Sequence, residues 1–379
     1  MVKTSIICIT ALILSTATLL GQEYFPAEKW EKRSASEFGI DEKKITTIID
    51  SAMSYEYIGP KDLVQAILKG FEREPYHKIL GPVKERGGPA GMIIKDGYII
   101  AEWGDVKRVD MTFSVTKSYL STIAGLAIDQ KLISGVHQPV NEYVWDGSFA
   151  GAHNSKITWD HLLTQSSDWS GQLWGGYDWN DRPPKEGNID DWKFRKLVEP
   201  GTVMEYNDVR VNLLAYSLLQ VWRNPLPVVL KEKIMDPIGA STTWRWYGYD
   251  NSWSTVDGLQ MQSVSGGGHS GGGLFINTED HARFGLLFLR DGNWNGKQLI
   301  SKDWINQAIQ PSKAESSYGY MWWLPGDRMK NLSKTGYYAA GFGGNYIIVE
   351  PDKDLLIVLR WCDPSNTNKL VGMIHDVVK

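Results

Sequence analysis

Cysteine is nearly absent: the 379-residue chain holds only Cys8 and Cys362, so it can build neither a disulfide framework nor a cysteine-rich metal cluster. An excess of charge of one sign is lacking too. With 40 Lys+Arg against 44 Asp+Glu, a net charge of −4 and no basic block, the composition argues against nucleic acid as a partner. The 7 histidines show no ligand spacing, because His153 and His161, like His269 and His281, stand in mixed contexts. A metal site is therefore not expected, nor is a cofactor. Internal repeats and low-complexity linkers are missing. A long apolar run occurs only from Ile6 to Leu20, broken by small or hydroxyl residues, behind Lys3 and ahead of Gly21-Gln22. That is the layout of a secretory signal peptide, and it is shorter than a membrane span requires. Residues 1–21 are expected to be removed, leaving a periplasmic or secreted chain with no integral membrane segment and with Cys362 as its single thiol.

What is present is an ordinary globular composition, 42% hydrophobic, with 17 tryptophans and 38 glycines, long enough for a sizeable core. Helical patterns run from Asp41 to Tyr55 and from Lys61 to Phe71. Gly91 to Trp103 reads as a hairpin around Asp96-Gly97. After it comes Phe113-Ser114-Val115-Thr116-Lys117-Ser118-Tyr119-Leu120, which opens a helix that is apolar nearly all round and hence buried. A long loop spans Ser166 to Pro184, of the kind that often carries function. A leucine-rich helix follows Tyr206-Asn207-Asp208, and Ser241 to Val264 reads as irregular and tryptophan-bearing. The glycine cluster Gly266 to Gly273 precedes a helix capped at Asn277 or Thr278. Tyr318 to Leu324, Lys334 to Phe342, Tyr346 to Glu350 and Leu355 to Arg360 read as strands, and Lys369 to Val378 as a closing helix. Strands at both ends with a helical middle predict an antiparallel α/β layer (22–125 and 265–379) split by an inserted, mainly helical domain (126–264).

The chemistry centres on Ser114 and Lys117. Three residues apart on a helix, they share a face, which makes Ser114 a candidate nucleophile and Lys117 its partner. Burial of that helix predicts a lysine with a lowered pKa, able to accept a proton near neutral pH. The alternative is a plain N-cap serine beside a lysine that snorkels to water. Tyr206 is the candidate for relaying a proton to the leaving group, or it is a packed aromatic ahead of a helix.

Taken together these residues resemble the serine β-lactamase and penicillin-binding-protein superfamily, in the branch of class C β-lactamases, esterases and aminohexanoate-dimer hydrolases. The resemblance rests on Phe-Ser-Val-Thr-Lys at 113–117, Pro-Gly-Thr with Tyr206 before a leucine-rich helix, Gly271-Gly272-Gly273-Leu274 ahead of Asp280 and Arg283-Phe284, and Gly-Phe-Gly-Gly at 341–344. It implies a β-lactamase/transpeptidase-like fold and a small-molecule ester or amide substrate. It further implies attack by Ser114, with Lys117 and Tyr206 as proton shuttle, and hydrolysis of the acyl-enzyme. Two departures stand out. Asp208 occupies the place of an amide-binding Asn and has no donor when ionised; it could instead bind Lys117 and keep it protonated. For the third motif, Lys334-Thr335-Gly336 matches by letter, but Ala339-Ala340-Gly341 is preferred, which pairs the N–H of Phe342 with that of Ser114 as an oxyanion hole. Asp208, Gly341 and His269 are then candidate substrate contacts. A protein that acylates and stays acylated, a β-lactam or peptidoglycan sensor, is the main alternative. A more distant one is an α/β-hydrolase elbow at Gly268-His269-Ser270-Gly271-Gly272 with Asp363 and His375, although its lead-in is polar and glycine-rich.

Overall fold

Asp96 and Gly97 both take positive φ (52° and 87°), the two-residue turn whose twist matches that of the strands it joins. It links β1 (Ala90–Lys95) to β2 (Tyr98–Trp103). Four further strands form a second antiparallel sheet in the order β3-β6-β4-β5: β3 (Asp110–Met111), β4 (Arg245–Val256), β5 (Leu259–Val264) and β6 (Gly273–Ile276). Near the C-terminus, β7 (Tyr337–Gly341), β8 (Asn345–Glu350) and β9 (Leu355–Arg360) complete the first sheet in the order β7-β8-β9-β1-β2. This computed structural model describes residues 23–378, so the expected signal segment at 1–21 lies outside the described residues.

The five-stranded sheet is buried on both faces, which explains why β9 reads as unbroken Leu-Leu-Ile-Val-Leu. Alternate side chains point to opposite sides. Met92, Ile94, Ile347 and Val358 pack against the helix Thr278–Leu289 and its neighbours, while Ile93, Ile348 and Ile357 pack against the helices Glu42–Ser54 and Pro364–His375. In chain order the principal helices are α1 (Glu42–Ser54), α2 (Thr116–Asp129), α3 (Asp208–Trp222), α4 (Thr278–Leu289) and α5 (Pro364–His375). The result is a mixed α/β fold of antiparallel sheets flanked by helices. Arg360 ties the two sheets together. From the end of β9 its buried guanidinium donates to Asn345 Oδ1 (2.7 Å) and to the carbonyls of Ile276 (2.9 Å), Met111 (3.0 Å) and Asp110 (3.2 Å).

Two stretches differ from the sequence reading. Ser241 to Val264 is a long hairpin, β4 with β5, turned by Asp257-Gly258 at positive φ (53° and 80°). The signal was the Asp-Gly pair, hidden because a break in register between Gly248 and Trp253 interrupts the alternation. Tyr318 to Leu324 makes only isolated bridges: Met321 at φ 61° turns the chain, and Tyr318, Met321 and Trp322 are buried by packing without a ladder. The division of the chain at 126–264 stands as a proposal, since the β4–β5 hairpin inside that segment pairs with β6 outside it. Among the described residues no helix is long and apolar enough to cross a membrane.

Candidate functional site

A tight turn, Phe113–Val115, delivers Ser114 to the start of α2. Phe113 holds a left-handed φ of 50°, an uncommon state for a bulky residue that persists where its surroundings over-determine it. Those surroundings are specific. Thr112 N–H donates to the Leu274 carbonyl (3.0 Å), Leu274 N–H donates to Thr116 Oγ1 (3.2 Å), and Ser118 Oγ donates to the Met321 carbonyl (2.8 Å). Buried His281 bridges Thr112 Oγ1 and the Tyr119 hydroxyl (2.7 and 2.9 Å), and burial keeps its imidazole neutral by pushing its pKa well below the usual value.

Lys117, in the first turn of α2, is 1% exposed. Its Nζ donates to Ser114 Oγ (2.7 Å) and to Asp208 Oδ1 (2.6 Å). The snorkelling alternative is thereby excluded. The expected neutral amine is also corrected: burial does work against the charge, but Asp208 and Tyr206 outweigh it, and the lysine pKa is raised. Burial likewise opposes the Asp208 carboxylate, yet Lys117 and Arg182 hold it well below the ordinary carboxylate range. Asp208 thus occupies itself with Lys117 through one oxygen and with Arg182 Nη2 (2.6 Å) through the other.

Tyr206 is half-buried and stacks on Trp323 (centroids 5.9 Å apart, 20° between planes). Lys117 Nζ and Arg182 Cζ lie 4.7 and 5.2 Å from its ring centroid. A cavity of about 380 Å³ is lined by Ser114, Tyr206, Asp208, His269, Gly341 and Phe342, together with Arg182, Gly267, Trp323 and Arg328. All the candidate residues except buried Lys117 therefore face one space. Gly341 closes it on the strand side. A Cβ there would collide with the Thr112 carbonyl and sit 3.3 Å from Ser114 N, so only glycine lets β7 run this close to the serine turn. Asn345 Nδ2 donates to the Phe342 carbonyl (2.7 Å) and fixes the peptide that follows. Lys334, by contrast, is exposed ahead of β7 and does not line the cavity.

The α/β-hydrolase alternative is overturned. Among the described residues Ser270 Oγ meets only His77 Nε2, at 3.5 Å, whereas Asp363 caps α5 and His375 pairs with Glu350 (2.9 Å). His269 instead joins the ion-pair network. Its Nε2 meets Glu74 Oε2 (2.6 Å) and its Nδ1 faces Asp208 Oδ2 (3.4 Å). Burial opposes its charge, but Asp181, Asp208 and Glu74 raise its pKa to about 9. Glu74, His77 and His269 converge closely enough to hold a metal ion. The fit is poor, because the ion would have to displace the His269 proton with Arg182 Nη2 only 3.4 Å from the same ring. Four members of this site escaped the sequence reading, Glu74 among them. Arg182 and Asp181 lie in the flagged loop with nothing local to mark them. Gly267 belongs to the glycine cluster, but its reason is tertiary: a Cβ would collide with Asp208 Oδ1 and Lys117 Nζ.

Known proteins share this fold. A protein of Escherichia coli O157:H7 named as a D-alanyl-D-alanine carboxypeptidase is 24% identical over 196 residues, 42% of this chain, and the match spans only 45% of that relative's length. The fold is similar to a structure named for a 6-aminohexanoate-dimer hydrolase of Bacillus anthracis (TM-score 0.53, 16% identity, 83% of this chain and 80% of that one). It is also similar to EstCE1, a hydrolase with promiscuous acyltransferase activity (TM-score 0.58, 15% identity, 89% and 98%). The Beta-lactamase family model matches residues 108–365, more than half of the sequence and the whole span from β3 to the first residues of α5, and the chain belongs to that family of serine hydrolases.

Proposed function

We propose that the protein is an exported, class C β-lactamase-like serine hydrolase that cleaves a small ester or amide through a Ser114 acyl-enzyme. The observation that carries this reading is the 2.7 Å bond from Lys117 Nζ to Ser114 Oγ on the wall of a cavity shared with Tyr206 and the Gly341-Phe342 strand end. A charged lysine can only donate, so Ser114 Oγ accepts from it and its own proton is free to point elsewhere. Tyr206 is the acceptor we assign. Ser114 Oγ forms a bond to the substrate carbonyl carbon while its proton passes to the oxygen of Tyr206, which acts in this step as a phenolate facing the Lys117 and Arg182 cations. The carbonyl electron pair moves to oxygen, held by the N–H groups of Ser114 and Phe342. Collapse of the tetrahedral species breaks the bond to the leaving alcohol or amine, which takes the proton back from Tyr206. Water repeats the sequence on the acyl-enzyme and releases the acid. Export is supported by the Lys3-led apolar run.

The Lys117–Asp208 pair favours one second reading, a sensor that acylates without turnover, since a lysine held charged cannot activate the deacylating water. Purified protein with p-nitrophenyl butyrate separates them: steady hydrolysis is expected, and a stoichiometric burst that then stops would favour the sensor. A fluorophosphonate probe is expected to label Ser114. Ser114→Ala should abolish both signals and Ser270→Ala neither; the reverse pattern would sink the proposal.

A further inference from the structure

Asp208 leaves the cavity without the side-chain donor that an amide would offer at that position, and the neighbouring side chain able to replace it is Arg182. Its backbone holds a left-handed φ of 51°, outside the usual range of a long side chain. The surroundings hold it there at several points. The Arg182 N–H donates to Glu74 Oε1 (3.0 Å), Nη1 donates to Asp181 Oδ1 (2.5 Å) and Nη2 to Asp208 Oδ2 (2.6 Å). Phe71 and Tyr206 flank the guanidinium, with centroids 5.5 and 5.2 Å from Cζ. The side chain is nevertheless 32% exposed and lines the cavity that holds Ser114. Its Nε–H and second Nη1 hydrogen make no hydrogen bond among the described residues. A guanidinium pinned through both terminal nitrogens, with N–H groups to spare on the wall of the cavity, is a donor waiting for an acceptor.

The charges decide which acceptor. Asp181 and Asp208 carry two negative charges within 2.6 Å of this one guanidinium, Lys117 answers the remaining one, His269 and Glu74 pair with each other (2.6 Å), and the other cation lining the cavity, Arg328, lies over the Trp323 ring (4.3 Å). The cluster therefore presents N–H groups with little net positive charge. A carboxylate brought there would meet two fixed carboxylates behind the donor, whereas an uncharged carbonyl accepts the same hydrogen bonds without that repulsion. We infer that Arg182 is a substrate-binding residue that hydrogen-bonds an uncharged carbonyl oxygen other than the one attacked, so that esters and amides carrying a second amide group are preferred. This rests on the Ser114 reading above and specifies its substrate class.

The test is a pair of matched substrate series, each measured as a ratio of kcat/KM. On the acyl side, N-acetylglycine p-nitrophenyl ester is compared with p-nitrophenyl valerate; on the leaving side, 4-acetamidophenyl acetate is compared with 4-propylphenyl acetate. Arg182→Lys keeps a cation between Asp181 and Asp208 but loses the fork, and Arg182→Gln loses both. Deleting a hydrogen bond from a charged donor to a substrate carbonyl costs roughly tenfold or more. The ratio favouring the amide-bearing substrate is expected to fall about tenfold in at least one series for both variants. A merely structural role for Arg182 would lower both members of each pair alike and leave the ratios within about twofold; that result, with thermal melting unchanged in Arg182→Lys, would overturn the inference. Failure of the Ser114 reading is recognised separately, as loss of fluorophosphonate labelling at Ser114 in the parent protein.

Discussion

Replacing Asp208 by Asn tests the electrostatic logic of the site most directly. The substitution keeps the shape and an oxygen that can accept from Lys117, and removes one charge. In the parent, Lys117 and Asp208 are 1% and 3% exposed at 2.6 Å, and Asp208 also holds Arg182. Removing one partner of a buried pair typically costs about 3–5 kcal/mol. The lower end applies, because Arg182 keeps Asp181 at 2.5 Å and is partly solvated, and because Lys117 can shed its proton. A loss of about 3 kcal/mol at neutral pH follows, seen as a melting temperature several degrees lower. The sign with pH is definite. A carboxyl held below its unfolded pKa, as Asp208 is, contributes stability above an unfolded value of about 3.9 and loses it as pH falls through the folded one. The gap between parent and variant should therefore be full near neutrality and shrink below about pH 4. The effect on rate follows from Lys117. With Asp208 gone, burial is no longer outweighed and the lysine pKa falls. If the charged lysine is the working form, the alkaline decline in kcat/KM on p-nitrophenyl butyrate should move to lower pH in the variant. An unchanged decline, or an ascending limb that moves instead, would show that Lys117 works as a proton acceptor and would refute the reasoning.

Two further outcomes follow from the same geometry. Gly341→Ala forces a Cβ into the Thr112 carbonyl beside Ser114 N; kcat should drop by about a hundredfold as the oxyanion donors separate, at a stability cost of about 1–3 kcal/mol, and a kcat within twofold of the parent would disprove the close approach. His269, with a pKa raised to about 9, stabilises the fold fully below its unfolded pKa of about 6.5 and loses that contribution as pH rises through the folded value, a difference of about 3 kcal/mol. Denaturant unfolding should show the parent weakening between about pH 6.5 and 9 and His269→Gln remaining flat; equal slopes would remove His269 from the network.

Much of the frame was legible because it depends on short-range pattern. The Asp96-Gly97 hairpin, the apolar helix after Ser114, the Asn277 cap and the terminal strands all announce themselves within a dozen residues. The misses are equally physical. The Asp257-Gly258 turn carried the same signal as Asp96-Gly97, but a broken register masked the strands around it. Tyr318 to Leu324 has the residues of a strand and is held by aromatic packing instead. The α/β-hydrolase order of Ser270, Asp363 and His375 was a coincidence of sequence, since order along the chain says nothing of distance.

The three-residue spacing was enough to set Ser114 beside Lys117, because the tight turn Phe113–Val115 runs straight into α2 and i, i+3 side chains still fall on one side. The family pattern likewise singled out Tyr206 and Gly341-Phe342. The charge on Lys117 was legible only as one of two readings. A buried lysine by itself reads as a neutral amine, the family pattern offered Asp208 as a partner that would keep it protonated, and only the fold, which brings Asp208 within 2.6 Å from 91 positions away, decides for the second. The same holds for Arg182, His269 and Glu74, and for Gly267, whose missing side chain makes room for the ion pair. Protonation depends on burial and on the charges within a few ångströms, and those neighbours are assembled from distant segments that no local pattern relates.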